Sequence, residues 1–277
     1  MRERRPPRGV AIVIAPMPDA PASPADTTDD AVLGGRLRLR QPRRGHRVGH
    51  DAILLAAATP AGDIAVELGA GVGAAGLALA LREPGVRLWL VEIEPSLAAL
   101  AAHNAAVNGL GERTRMVTAD VRTSLPALAA VGVAAGTADA VLMNPPFNAE
   151  RLQPSADPLR RRAHLAAPDT LPVWLGAARD LLRPDGVVTL IWRADGLGDV
   201  LGLLPELGFG GVAVMPVHPR PDAGAIRVLV RAVRGSRTPL GLLPPLVLND
   251  SDGRPSVAAE AVLRHARPLP FGRDGAV

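Results

Sequence analysis

Apolar runs of strand length, each followed by a stretch of helical composition, dominate the middle of this sequence. Ile64-Ala65-Val66-Glu67-Leu68 is a near-continuous apolar run, and Ala74 to Leu81 behind it reads as a buried helix. Glu83-Pro84-Gly85 breaks the chain, Val86 to Val91 forms a second strand ending at Glu92, and a helix follows from Pro95 to about Asn108, stopped by Gly109. Arg115 to Ala119 leads to Asp120, and Ala138 to Met143 leads to Asn144-Pro145-Pro146-Phe147. A helix from about Asp169 to Leu182, a turn at Arg183-Pro184-Asp185-Gly186 and a strand from Val187 to Trp192 complete another unit. Gly211 to Val217 and Ala225 to Arg234 leave no room for a crossover helix between them, so as neighbours they pair antiparallel. The order predicts an α/β fold with a doubly wound, mostly parallel seven-stranded sheet and a C-terminal antiparallel hairpin, ligands lying at the carboxyl ends of the strands.

Ahead of this core the pattern changes. Arg36-Leu37-Arg38-Leu39-Arg40 alternates strictly, as a strand with one apolar and one basic face does. Gln41 to Gly45 turns the chain and His46-Arg47-Val48 returns, which predicts an N-terminal β-hairpin extension. Arg38, Arg43, Arg44 and Arg47 load this hairpin with positive charge and no acidic partner nearby, so it reads as a solvated edge or as a surface for phosphate. Residues 1–31, rich in Arg, Pro, Asp and Ala, are expected to form a disordered arm. Residues 32–235 then hold the main domain with its hairpin, and 236–277 a largely irregular extension with a short helix from about Ser256 to His265.

Composition narrows the possibilities without choosing among them. With 277 residues, 48% of them hydrophobic, the chain can bury one large core. The sequence pI near 11.0 overstates the charge. The formal net charge is only +4, and with no lysine, tyrosine or cysteine there is nothing to buffer near pH 10. Absence of cysteine excludes disulfides and thiolate metal sites, and the scattered histidines have no ligand spacing, so no metal is expected. No apolar run is long enough to span a membrane, and the expected setting is cytoplasmic.

The candidate chemistry begins at the turn after the first strand. Glu67-Leu68-Gly69-Ala70-Gly71-Val72-Gly73 removes side chains where backbone must approach a ligand. Gly71 to Gly76 also matches a dinucleotide fingerprint, with Glu92 where a ribose-binding acid belongs. The turn alone therefore fits a nicotinamide or flavin, S-adenosylmethionine, or merely a tight strand-to-helix connection. Asp51, ahead of the apolar Ala52 to Ala58, is either a helix N-cap or a group on the cofactor side.

Asn144-Pro145-Pro146-Phe147 decides between these. Paired prolines fix the backbone, so the Asn144 side chain and the Pro145 carbonyl can face one point, with the Phe147 ring beside it. Two acceptors aimed at a planar NH₂ favour the lone-pair geometry that attacks an electrophile, and an aromatic face holds a base by stacking. A dehydrogenase or flavoenzyme has no use for this element. Arg160, Arg161 and Arg162 follow it through a Pro-containing loop and read either as solvated or as RNA phosphate contacts.

The ordered set Glu67 to Gly73, Glu92, Asp120 and Asn144 to Phe147 resembles the Rossmann-like S-adenosylmethionine-dependent methyltransferases. More narrowly, Gly45 to Ala56 and the tail from Gly235-Ser236-Arg237 are similar to the bacterial tRNA(Val) adenine-N6 methyltransferases, the likeness covering about residues 33 to 265. The resemblance implies an enzyme that uses S-adenosyl-L-methionine to methylate an RNA base, adenine N6 in a tRNA anticodon loop. Close alternatives are guanine N2 of rRNA and glutamine N5 of a protein, whose families share this tetrapeptide or its tyrosine version. It further implies that Glu67, Gly69, Gly71 and Gly73 lie against the methionine part of the cofactor. Glu92 would bind the ribose hydroxyls and Asp120 the adenine amino group, with Asp51 at the pocket border. Asn144, Pro145 and Phe147 would hold the target base.

Overall fold

The computed structural model describes residues 26–44, 47–146 and 169–271. In chain order the strands are β1 (Thr27–Val32), β2 (Leu37–Pro42), β3 (Ile64–Leu68), β4 (Arg87–Glu92), β5 (Thr114–Thr118), β6 (Ala138–Met143), β7 (Leu182–Arg193), β8 (Phe209–His218), β9 (Arg227–Arg234), β10 (Gly241–Leu242) and β11 (Leu246–Val247). The helices are α1 (His50–Ala58), α2 (Ala74–Arg82), α3 (Pro95–Val107), α4 (Ser124–Ala130), α5 (Thr170–Leu181), α6 (Leu197–Glu206) and α7 (Val257–Leu263).

Strands β3 to β7 are parallel, in the spatial order β5-β4-β3-β6-β7. β9 then inserts antiparallel between β7 and β8, as the short connection requires. The sheet has nine strands, exceeding the expected seven because the two-residue β10 and β11 of the C-terminal extension add parallel pairings to β8. Both faces are covered. One core cluster gathers α1, α2, the hairpin leucines and Phe271, and the other gathers α5, α6, Trp89 and Trp192. That two-sided burial is why the central strands are written in unbroken apolar runs.

The N-terminal region corrects the sequence reading. β2 pairs antiparallel with β1 upstream of it, so Thr27–Val32, most of it within the expected 1–31 arm, is a strand, and Arg47-Val48 is not. Asp29 stands directly opposite Arg40 and bonds it at 2.8 Å, and Asp30 bonds Arg47 at 2.9 Å. The acidic partners judged missing come from that strand. The free edge of β2 is closed by side chains of α3 and of the residue that ends it: Asn108 accepts from the Arg38 N–H and donates to its carbonyl, and Asn104 does the same for Arg40. Residues i and i+4 of a helix rise about as far as alternate residues of a strand, so two amides can stand in for a neighbouring strand.

The C-terminal extension is folded back rather than loose. Ser256 caps α7 by accepting the Ala259 N–H, Leu269 N–H reaches the Ala57 carbonyl, and Arg36 donates to the His265 carbonyl at 3.0 Å. Several arginines serve structure: Arg82 donates to Ala56 and Thr59 carbonyls at the end of α1, and Arg113 to Glu83 and Val86 carbonyls after α2.

Candidate active site

The sheet register brings the separated candidates into one row. Leu68 pairs with Met143 on one side and with Val91 on the other, so Gly69 lies between Asn144 and Glu92 at the carboxyl edge. Glu92 pairs with Thr118, and Asp120 follows Thr118 by two residues. Four adjacent strand ends therefore present, in order, Asp120, Glu92, Gly69 and Asn144, across a span of about 15 Å at the usual strand spacing.

The glycine turn is built from conformations that other residues adopt at a cost. Gly69, Gly71 and Gly73 have φ of 67°, 56° and 84°. The turn is pinned on all sides: the Ala70 N–H donates to the Val91 carbonyl, the Gly73 N–H to Ala70, and the Val72 carbonyl accepts from Asn104. A Cβ at Gly71 would meet nothing within 4 Å, so this glycine faces open space rather than protein. A left-handed residue with no protein over it is what a backbone surface for a ligand needs.

The acidic residues are held by backbone donors. Glu92, 7% exposed, accepts the Gly71 N–H at 2.7 Å on one oxygen and the Glu94 N–H at 2.9 Å on the other. Each oxygen keeps a lone pair for a ligand. Asp120 accepts from the Arg122 N–H at 2.9 Å and caps the short turn after β5. Glu67 is 5% exposed and reaches under the turn to accept the Gly76 N–H at 2.7 Å. Burial pushes its pKa up from the ordinary 4.5 to about 8, against the Gly76 N–H that lowers it, and the charge of Glu92 adds to the rise. A Cβ at Gly76 would stand 2.6 Å from that carboxylate oxygen. Gly76 is thus required for the approach of Glu67, which spacing alone did not reveal.

Asn144 carries a sharper signal. Its Oδ1 is buried and has no hydrogen-bond partner among the described residues. A buried acceptor left unpaired costs about 1–3 kcal/mol, and such a group in a cleft marks a place where a donor belongs. Pro145 is buried beside it. Phe147, Arg160, Arg161 and Arg162 lie outside the described residues.

Other candidates are placed differently from expectation. Asp51 is no N-cap: Gly49 holds that position without a side-chain bond, and Asp51 pairs with Arg227 of β9 at 2.9 Å. Arg47 is engaged by Asp30, whereas Arg38 and Arg44 are exposed and Arg43 lies beside them. Two residues escaped the sequence reading. Ile93, adjacent to Glu92, is 62% exposed, and Trp174 of α5 is half-buried against Gly69. No group of residues suited to a metal, and no helix long and apolar enough to cross a membrane, occurs among the described residues.

A parallel doubly wound sheet closed by an antiparallel hairpin, with its glycine turn and acidic strand ends on one edge, defines a Rossmann-like methyltransferase fold. Residues 49–195 match the family described as methyltransferase small domain, and the chain belongs to that family of S-adenosylmethionine-dependent methyltransferases. A release factor glutamine methyltransferase from Chlorobaculum tepidum is 33% identical over 166 residues, 57% of this chain and 55% of that protein. A tRNA1(Val) (adenine(37)-N6)-methyltransferase from Porphyromonas gingivalis is 34% identical over 163 residues, 56% and 61% respectively. The chain thus spans less than two thirds of either relative. Among solved structures, a predicted O-methyltransferase from Agrobacterium tumefaciens superposes with a TM-score of 0.65 at 26% identity, covering 79% of this chain and 97% of that one. M. jannaschii TYW2 in complex with AdoMet shares the fold, with a TM-score of 0.52 at 14% identity over 75% of this chain and 85% of that one.

Proposed function

We propose that this protein methylates an exocyclic amine of an RNA base, adenine N6 in a tRNA anticodon loop. The observation that carries the reading is the buried Oδ1 of Asn144, without a partner among the described residues and in register with the glycine turn. The open space at Gly71 and the remaining lone pairs of Glu92 suit S-adenosylmethionine. In this assignment Gly69, Gly71 and Gly73 line its methionine half, above a Glu67 held neutral near pH 7. Glu92 takes the ribose hydroxyls, Asp120 the adenine amino group, and Ile93 offers an apolar surface to a flat ring.

The bound cofactor supplies a methyl already activated on a sulfonium. The residues therefore need to align an acceptor, and no strong base is called for. Asn144 Oδ1 and the Pro145 carbonyl accept the two N–H bonds of the amine, which turns its lone pair out of the ring plane and stabilises charge developing on nitrogen. Phe147 stacks the extruded base. Arg38, Arg43 and Arg44 of the hairpin, with Arg160, Arg161 and Arg162, hold phosphates. Arg47 contributes less, being paired with Asp30.

The glutamine methyltransferase relative supports a second acceptor of the same geometry, a side-chain amide. Incubation with labelled S-adenosylmethionine and either unmodified total RNA or protein, followed by digestion, separates them. N6-methyladenosine in tRNA is the expected product. Label confined to methylguanosine or to protein contradicts the proposal.

A further inference from the structure

Trp174 is the aromatic residue that the sheet edge leaves without an assigned task. A Cβ on Gly69 would overlap Cη2 of its indole and stand 2.9 Å from Cζ3, so the benzo edge of the ring lies directly on the main chain of the glycine turn. The contact falls where β3 ends between Asn144 and Glu92. The helix bearing the ring is tied to the same edge at another point, because Asp169 at its start forms a two-bond pair with Arg122, at 2.8 and 2.9 Å, just beyond Asp120. Trp89 and Trp192 are 6% and 8% exposed, whereas Trp174 is only half-buried. It packs against the second core cluster on one side and is partly exposed on the other.

We infer that Trp174 is a wall of the cofactor pocket, its indole seated on Gly69 so that it touches the methionine half of S-adenosylmethionine and excludes water from the space between cofactor and Asn144. This rests on the cofactor placement proposed above. Gly69 then has two reasons to lack a side chain, its left-handed backbone and the ring over it.

The test compares calorimetric binding of S-adenosylhomocysteine with tryptophan emission during the same titration, in the full chain and in the W174F and W174A variants, with circular dichroism to establish folding. The wild type is expected to show a saturable emission change whose midpoint matches calorimetry, and W174F to lose that change. W174A is expected to weaken binding about tenfold, as removal of a large contact surface does, and W174F by less. Folded W174F that keeps the emission change, or folded W174A that binds as tightly as wild type, overturns the inference and leaves the methyltransferase reading intact. A wild type that binds no cofactor by calorimetry overturns that reading and the inference with it. Should W174A fail to fold, the emission of W174F decides alone.

Discussion

The carboxyl edge of the sheet and the N-terminal hairpin lie on neighbouring elements, joined through Asn104, yet they treat polar groups in opposite ways. At the hairpin almost every group is answered: Asp29 by Arg40, Asp30 by Thr28, Gln41 and Arg47, and the strand edge by Asn104 and Asn108. At the sheet edge three alternate glycines hold a left-handed backbone, Glu67 is buried against its charge, and Asn144 Oδ1 has no partner among the described residues. Groups left unsatisfied beside a rigidly pinned turn are stabilised only when something binds there, whereas satisfied groups stabilise the fold itself. The contrast fits the chemistry proposed for the first region and a supporting role, with some basic surface, for the second.

The largest effect is expected from filling the open side of the turn. Gly71→Val should lower cofactor affinity by about a hundredfold or more, measured by calorimetry, with a smaller loss of thermal stability from the left-handed backbone. Equal damage to both would place Gly71 in the supporting class. Asn104→Ala attacks the join. It is 0% exposed and bonds Arg40 through both its N–H and carbonyl, and the Val72 carbonyl besides, so urea unfolding should show a loss of about 2–4 kcal/mol. A loss below about 1 kcal/mol would mean that water replaces those bonds.

Glu67 tests the sheet edge through pH. Its folded pKa is raised, so between 4.5 and about 8 the folded protein keeps a proton that the unfolded chain has released. Stability from this group therefore falls as pH rises through that window, and Glu67→Gln should flatten the fall, gaining on the order of 1–3 kcal/mol near pH 8. Parallel stability curves for the two proteins would refute the buried, neutral carboxyl. The smallest effects belong to the hairpin. Arg38→Ala should weaken RNA binding severalfold and reduce its salt slope by about 1, while Arg47→Ala should chiefly change stability, by less than about 1 kcal/mol. Reversed outcomes would exchange the roles of these arginines.

What could be read from sequence follows from how local each signal is. The parallel strands were legible because burial on both faces demands long apolar runs, and the paired β8 and β9 because their connection is too short for anything else. β1 was hidden: Asp29-Asp30 contradicts strand propensity and is stabilised by Arg40, Gln41 and Arg47, later in the chain. α6 leaves little sequence signal because glycines and Pro205 interrupt its apolar face. At the site, the row from Asp120 to Asn144 followed from strand order, but Gly76 under Glu67 and Trp174 over Gly69 are contacts between distant positions with no local pattern. Asn104 and Asn108 did leave a trace. They share the stripe of α3 that carries Leu100, Ala101 and Ala105, and polar groups on a buried stripe announce partners elsewhere.

The central claim separates an acceptor clamp from the cofactor cradle beside it. Binding of S-adenosylhomocysteine and single-turnover methylation of tRNA, measured together on wild type and Asn144→Ala, test it most directly. The account predicts cofactor affinity within about threefold of wild type and methyl transfer slower by about a hundredfold or more. Loss of cofactor affinity comparable to that of Gly71→Val, or methyl transfer at the wild-type rate, would contradict it.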